Sequence, residues 1–195
     1  MDWKDITIDT YNELTTYYDD KKTFIDRAMS LLYGVTDPQQ LTVAVYQKYL
    51  SDMKFLGRDI KPCKLSDSYT INGRKYELDM TLNDFTIAQL TDFENYKRQK
   101  PMDLVNILSV VLIPTGHKYN DGYDMQMAKR DIGSLDIETG MAVFHFFADW
   151  CSRYVTFLER YLLHRLKRMK KDERTEKLRE LVTQLRELST YFRMS

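Results

Sequence analysis

From Met141 to the final residue, Ser195, the sequence contains no Gly and no Pro. Because these two residues are the commonest helix breakers, such a run favours either one very long helix or two helices joined by a short turn. An unbroken helix from Met141 to Phe192 would be about 78 Å long, at about 1.5 Å per residue. The carboxyl-terminal quarter of the chain therefore predicts a large helical element.

Two apolar stripes lie in this run, and they are out of phase with each other. Members of the first stripe follow one another at intervals of four, three, four, three and four residues, which predicts a buried helix face. The second stripe covers only two heptads, which is too short to justify a coiled coil. The segment could form either a helical hairpin, with its break near Lys170 to Arg174, or a single long helix. The second stripe either packs on its own domain or, if residues 174–195 project, forms a protein interface. The first stripe consists of Val143, Phe147, Trp150, Tyr154, Phe157 and Tyr161, and the second of Leu178, Leu181, Leu185, Leu188 and Phe192.

A short fragment occurs twice, at residues 10–17 and 86–93. Both copies contain a Thr, an acid or amide three residues later, Leu-Thr, and then an aromatic ring. Thr10 and Thr86 are predicted to cap helices, with Glu13 and Gln89 reaching back to the cap N–H. An apolar helix is predicted after each copy, Phe24 to Tyr33 and Leu104 to Ile113, and a third helical element follows each. The repeat predicts two related helical modules.

Local signals define the other elements. Asn72-Gly73 between two alternating runs predicts a β-hairpin with a type I′ turn. We also expect a helix from about Lys22 to Tyr33, another from about Pro38 to Phe55 that ends at Leu56-Gly57, and a short helix over Met125 to Arg130.

The sequence thus predicts a mainly α fold, with helical modules, one small β-hairpin and a long carboxyl-terminal helix or helical hairpin. Four segments are expected: an amino-terminal helical module (1–57), a linker with the hairpin (58–80), a second helical module (81–163) and a basic helical arm (164–195). No apolar run reaches the roughly 18 to 20 residues of a membrane span, and the amino terminus lacks the pattern of a signal peptide. We expect a soluble product that does not bind membranes.

The net charge of zero conceals an uneven distribution. Residues 1–159 contain 18 basic and 24 acidic side chains, whereas residues 160–195 contain 11 basic and 5 acidic ones. A basic cluster could contact nucleic-acid phosphates or an acidic face of another subunit, or it could be a solvated helix with internal ion pairs. The cluster consists of Arg165, Lys167, Arg168, Lys170 and Lys171.

No catalytic, cofactor or metal motif is evident. The three His residues lie far apart, and Thr115 to Tyr119 lacks the glycine and hydroxyl positions of a phosphate-binding loop. Asp121 and Asp124 lack the further ligands of a calcium loop. We therefore predict a protein without enzymatic activity and without a cofactor. An enzyme would require a pocket that brings together residues such as His117, Lys118 or Asp121.

Several segments together resemble small proteins from the structural-gene regions of tailed bacteriophages, especially those of crAss-like and other Bacteroides phages. The resemblance covers about residues 5 to 150, and it implies a role in forming the neck or tail, as a ring subunit or as an assembly chaperone. It implies no catalytic residues. The segments are Asp5 to Tyr11, the apolar helix ending near Gly34, Tyr69 to Tyr76, Asp84 to Phe93 and Gly140 to Phe147.

The function predicted is that of a non-enzymatic phage virion protein, a neck or tail ring component acting through repeated protein contacts. The alternatives are a tail-assembly chaperone absent from the mature virion and a nucleic-acid-binding protein that uses the basic arm. Other phage structural proteins and further copies of this chain are the expected partners, with DNA as an additional candidate. The expected locations are the host cytoplasm during assembly and the virion afterwards. Interaction is predicted at the basic cluster and, through apolar contacts, at Leu181, Leu185 and Leu188.

Overall fold

A computed structural model describes residues 1–17, 20–81, 84–168 and Thr183. The chain divides into two units after Phe144. The predicted four-segment division stays a prediction. Helices and one small sheet make up the described part, which confirms the mainly α fold. The helices are α1 (Ile8–Thr15), α2 (Lys21–Tyr33), α3 (Val43–Asp52), α4 (Ile87–Lys97), α5 (Leu104–Leu108), α6 (Met125–Gly133) and α7 (Ile137–Arg168), and the strands are β1 (Ser68–Ile71), β2 (Arg74–Leu78) and β3 (Leu112–Pro114).

The predicted hairpin is present, with Asn72 and Gly73 both at positive φ (50° and 77°) in the turn between β1 and β2. The prediction missed a third strand. β3 pairs antiparallel with β2, and its Leu112 lies opposite Leu78. Leu104 to Ile113 is therefore not one helix, because α5 ends at Leu108 and the chain then extends to satisfy the free edge of β2.

The two copies of the repeated fragment begin their helices differently. Thr86 caps α4 in a reciprocal capping box with Gln89, as predicted. In the first copy, however, the prediction was wrong, because α1 begins three residues before the repeat suggests and its cap is Thr7. An antiparallel bridge between Thr7 and Asp136 fixes this start. Glu13 contacts Arg27 on α2, with 2.5 Å between the charged atoms.

The helix predicted over Pro38 to Phe55 is interrupted. A 3-10 helix (Pro38–Gln40) is capped by Asp37, α3 then starts with a new cap at Thr42, and a second 3-10 helix (Met53–Gly57) ends at the expected glycine. The prediction overlooked the hydroxyl of Thr42, which accepts from the N–H of Val45 and starts a separate helix.

Two apolar clusters hold the unit that ends at Phe144. One is centred on the sheet and the buried faces of α1, α4, α5 and α6, where the Tyr76, Phe93, Leu108 and Ile132 side chains are fully buried. The other belongs to the segment from α1 to the second 3-10 helix. Among the described residues, the buried members of this second cluster are Leu14, Ala28, Met29 and Met53, and many more of its side chains are half-buried.

α7 begins after Asp136, whose carboxylate accepts a hydrogen bond from the N–H of Thr139. Its first stripe is only partly buried, which corrects the prediction of a buried face. Val143 and Phe147 are fully buried, whereas the later members Tyr154, Phe157 and Tyr161 are 38%, 63% and 52% exposed. The helical period was correct, but a spacing cannot show how far along a helix its packing partners extend.

Candidate functional site

A buried carboxylate fastens the hairpin to α6. Asp131 is 1% exposed, and each of its oxygens accepts from the Arg74 guanidinium at 2.5 Å. Tyr76 donates its hydroxyl proton to the same carboxylate at 2.6 Å. Asn72, in the hairpin turn, donates at 3.0 Å. The network thus joins the turn, strand β2 and α6 through one side chain.

The network changes the ionisation of its members. Hydrogen bonds from Arg74 lower the pKa of Asp131 to about 2, even though burial opposes this shift. Burial and the neighbouring Asp131 carboxylate raise the pKa of Tyr76 to about 12. Four hydrogen bonds from three side chains converge on the Asp131 carboxylate, so we assign the network a structural role. Sequence reasoning found the turn but not Asp131, because an Asp within a helix shows no signal for a partner 57 residues away.

A cleft of about 560 Å³ lies beside the sheet, between β2, the start of α4 and the loop after β3. It brings together the three residues that an enzyme hypothesis would require, His117, Lys118 and Asp121. The cleft also contains several further carboxylates. Its complete lining is Glu77, Asp79, Asp84, Phe85, Thr86, Gln89, Val111, Ile113, His117, Lys118, Tyr119 and Asp121.

Several polar side chains in the cleft wall form hydrogen bonds within the fold. Gln89 closes the capping box of α4 and donates its amide to the carbonyl of Val110 at 2.8 Å. Asp79 accepts from two backbone N–H groups on the next few residues. Tyr119 donates to Asp92 at 2.8 Å, and burial, with this carboxylate as the second cause, raises the pKa of Tyr119.

His117 lies against the ring of Tyr123, with 5.7 Å between the centroids. No hydrogen bond among the described residues joins His117 to a carboxylate, and within the same residues no group of three or more His, Cys, Asp or Glu side chains could hold a metal ion. Within the part of the chain that the structure describes, the cleft therefore holds carboxylates, the Lys118 ammonium and His117 without a hydrogen-bonded His–carboxylate pair.

An apolar groove runs along α2. One part, of about 410 Å³, lies between α2 and the end of α3, and the next, of about 530 Å³, extends towards Trp3 and Met102. Phe24 and Leu56 line both parts. A third hollow continues at Ile25 towards Tyr46. In the sequence, the groove could have been inferred from α2, which has more apolar residues than a single core-facing stripe of a helix needs.

The predicted interaction residues lie at or beyond the end of the described part. Arg165, Lys167 and Arg168 belong to the described backbone of α7, although their side chains do not belong to the described part. The other five, Lys170, Lys171, Leu181, Leu185 and Leu188, lie outside the described residues. The structure therefore places three of the eight on one helix.

Comparisons with models of protein families, with curated proteins and with solved structures gave no match. Among the described residues, no helix is both long and apolar enough to cross a membrane.

Proposed function

We propose that this chain is a non-enzymatic structural protein of a tailed-phage particle, a subunit of a neck or tail ring that works through repeated protein contacts. The single observation that carries the proposal is the incomplete core of residues 14–56. Four side chains in this cluster are buried, while those around them, including Phe24, Ile25 and Leu50, are only half covered. A subunit that completes its core against a neighbour leaves such a surface when it is considered alone.

The shape of the surface supports a protein partner. The groove is lined mainly by aliphatic and aromatic side chains, and its lining also includes charged residues such as Lys21 and Asp26. An apolar centre with a polar rim is the usual arrangement in protein interfaces. The resemblance to phage structural-region proteins over residues 5–150 includes this segment and supports the same proposal.

The cleft beside the sheet offers the competing, enzymatic hypothesis. Two observations count against an enzymatic role for the cleft. Gln89 and Tyr119 form hydrogen bonds that stabilise the fold. Among the described residues, His117 contacts the Tyr123 ring and has no hydrogen bond to a carboxylate. The double substitution of His117→Ala with Asp121→Asn tests the point. We expect particles made with this variant to have normal infectivity and copy number.

Proteomics of purified particles with copy-number measurement tests the proposal. A ring subunit is present in mature particles at a fixed copy number and sediments as an oligomer when purified. Presence in infected-cell lysate but absence from particles would instead identify a tail-assembly chaperone. A strictly monomeric protein that is absent from particles and binds no tail protein would contradict both.

DNA binding through the basic arm is tested separately. DNA affinity would be measured against salt concentration for the wild type and for a variant with Lys167, Arg168, Lys170 and Lys171 all changed to Glu. A structural protein without a DNA role gives weak affinity that this substitution leaves unchanged. A steep salt dependence that the substitution abolishes would favour the nucleic-acid alternative.

A further inference from the structure

The second half of α7 exposes a row of aromatic rings. Tyr154, Phe157 and Tyr161 are 38%, 63% and 52% exposed, and the Phe157 and Tyr161 rings stack with 6.5 Å between their centroids. The three residues follow one another at intervals of three and four, so they lie on one face of the helix. We call this row the α7 ridge. Contiguous exposed apolar side chains of this kind normally mark a protein contact site.

The groove along α2 is as long as the α7 ridge. α2 lines the groove with positions at helical spacing, from Lys21 through Ile25 to Ala28. The first and last of these positions differ by seven residues, which is a rise of about 10 Å at about 1.5 Å per residue. The ridge also covers a rise of seven residues, from Tyr154 to Tyr161. Each surface lies within one of the two units of the chain, and their lengths agree.

The ridge has the side-chain pattern that binds in a groove. An amphipathic helix that docks in an apolar groove anchors residues at positions i, i+3 and i+7. Tyr154, Phe157 and Tyr161 occupy these positions. The groove offers hollows of about 410 Å³ and about 530 Å³, which share Phe24 and Leu56 in their linings. Its half-covered aliphatic and aromatic walls therefore fit a helix that presents large rings.

Charge favours this pairing over a pairing of two α7 ridges. Arg153 and Arg160 are exposed on the same flank of the ridge. If two ridges packed antiparallel, this flank would face the same flank of the other copy and would bring like charges together. The lining of the groove instead contains both signs, with the carboxylates of Asp26 and Asp59 in its outer hollows. In the groove, carboxylates are therefore available to these arginines.

Shape requires two different surfaces at the contact. The groove is a hollow, and two grooves facing each other would leave an unfilled space that lacks the contacts of close packing. The ridge projects from its helix and has the complementary form. When the ridge of one copy fills the groove of another, the first copy still presents its groove and the second its ridge. Such a contact therefore repeats from copy to copy, as a head-to-tail contact in a ring does.

We propose that the α7 ridge of one copy of this chain occupies the α2 groove of a second copy. The rings of Tyr154, Phe157 and Tyr161 cover the half-buried side chains around Phe24 and Ile25, so that the two exposed apolar surfaces leave water together. The inference rests on the proposed function, because it names the element that fills the groove of each ring subunit.

A mixing experiment with two full-length variants tests this contact. Phe157→Gln damages only the ridge, and Ile25→Gln damages only the groove. Each variant alone should lose self-association by at least about tenfold in dissociation constant, measured by sedimentation. An equimolar mixture should form a dimer at concentrations where each variant alone is monomeric, because the intact ridge of one variant meets the intact groove of the other. The dimer should not grow, since its remaining ridge and groove are both damaged.

Two exposed substitutions provide the matched controls. Val43→Gln on α3 and Asp149→Asn on α7 lie outside the groove lining and the ridge, and both variants should assemble as the wild type does. Melting temperatures near that of the wild type show that the variants are folded. If Ile25→Gln lowers the melting temperature, Lys21→Trp replaces it, because Lys21 is exposed and a large ring at this position blocks the groove.

The outcomes separate this inference from the proposed function. If the wild type assembles but the mixture stays monomeric, the groove has another occupant, which overturns the inference and leaves the ring proposal intact. Assembly that Phe157→Gln abolishes and Ile25→Gln leaves unchanged would show that two ridges pair, with the same consequence. A monomeric wild type also overturns the inference, and its absence from purified particles would overturn the proposed function as well.

Discussion

Asp131 is the buried carboxylate on which the attachment of the hairpin to α6 depends. Asp131→Asn removes the charge that pairs with Arg74, and we expect a loss of about 2 to 4 kcal/mol in the free energy of unfolding, measured by urea denaturation. The control is Asp149→Asn, which removes the exposed pair with Arg153 and should cost less than about 1 kcal/mol. Equal losses for the two variants would contradict the role assigned to burial.

The same residue predicts a pH dependence. Because the pKa of Asp131 falls from 3.8 to about 2 on folding, its contribution is complete above pH 3.8 and is lost as the pH falls through 2. The contribution is about 2 kcal/mol. The difference in unfolding free energy between the wild type and Asp131→Asn should therefore shrink between pH 5 and pH 2, and a constant difference would contradict this linkage.

Gly140 marks a close approach between α7 and α1. A Cβ at this position would lie 2.7 Å from the terminal carbon of Ile8, whose side chain is fully buried. Gly140→Ala should destabilise the protein by about 1 to 3 kcal/mol in chemical denaturation, and adding Ile8→Val, which removes that carbon, should recover part of the loss. Gly57→Ala is the control, since no atom lies within 4 Å of its added Cβ.

At the scale of elements, the two copies of the repeated fragment differ in their caps. Thr86→Ala and Thr7→Ala each remove a cap and should lower the unfolding free energy by about 1 kcal/mol. Thr10→Ala, at the position that the repeat suggested, should cost clearly less because Thr10 lies inside α1. A larger loss of unfolding free energy for Thr10→Ala than for Thr7→Ala would contradict a cap at Thr7 and would support the start predicted from the repeat.

The sheet shows the same limit of local signals. Asn72-Gly73 specifies its turn from two residues, and the prediction of β1 and β2 was confirmed for that reason. β3 follows a five-residue helix in a continuous apolar run, and such a run can be either a helix or a buried strand. Only the free edge of β2, distant in sequence, decides between the two.

At the scale of the whole molecule, the groove along α2 predicts dependence on a neighbour. Ile25→Gln, inside the groove, should weaken self-association or particle incorporation by at least about tenfold, because an apolar contact at the centre of an interface is lost. Val43→Gln on α3 is the control, since Val43 is 73% exposed and does not line the groove. Sedimentation and thermal unfolding would be measured for both variants.

If Ile25→Gln lowered the melting temperature but left association unchanged, the groove would be an internal feature of the fold. If both variants weakened association equally, the interface would include the exposed face of α3 as well. The prediction is thus specific to the lining of the groove.

The sequence by itself determined the elements whose causes are local. These are the mainly α class, the type I′ hairpin, the end of α2 at Gly34, the cap of α4 at Thr86 and the helical period of α7. Each depends on backbone preferences or on hydrogen bonds within about four residues, so the amino-acid pattern contains the necessary information. All eight predicted interaction residues stay predictions.

Only the tertiary structure decided the features that join distant segments. It started α1 at Ile8 through the bridge to Asp136, converted residues 112–114 into a strand, gathered His117 and Asp121 in a cleft, and left half of the aromatic stripe of α7 exposed. The physical reason is common to all of these. Burial and strand pairing depend on which surfaces meet, and the periodicity of one segment cannot specify the segment that covers it.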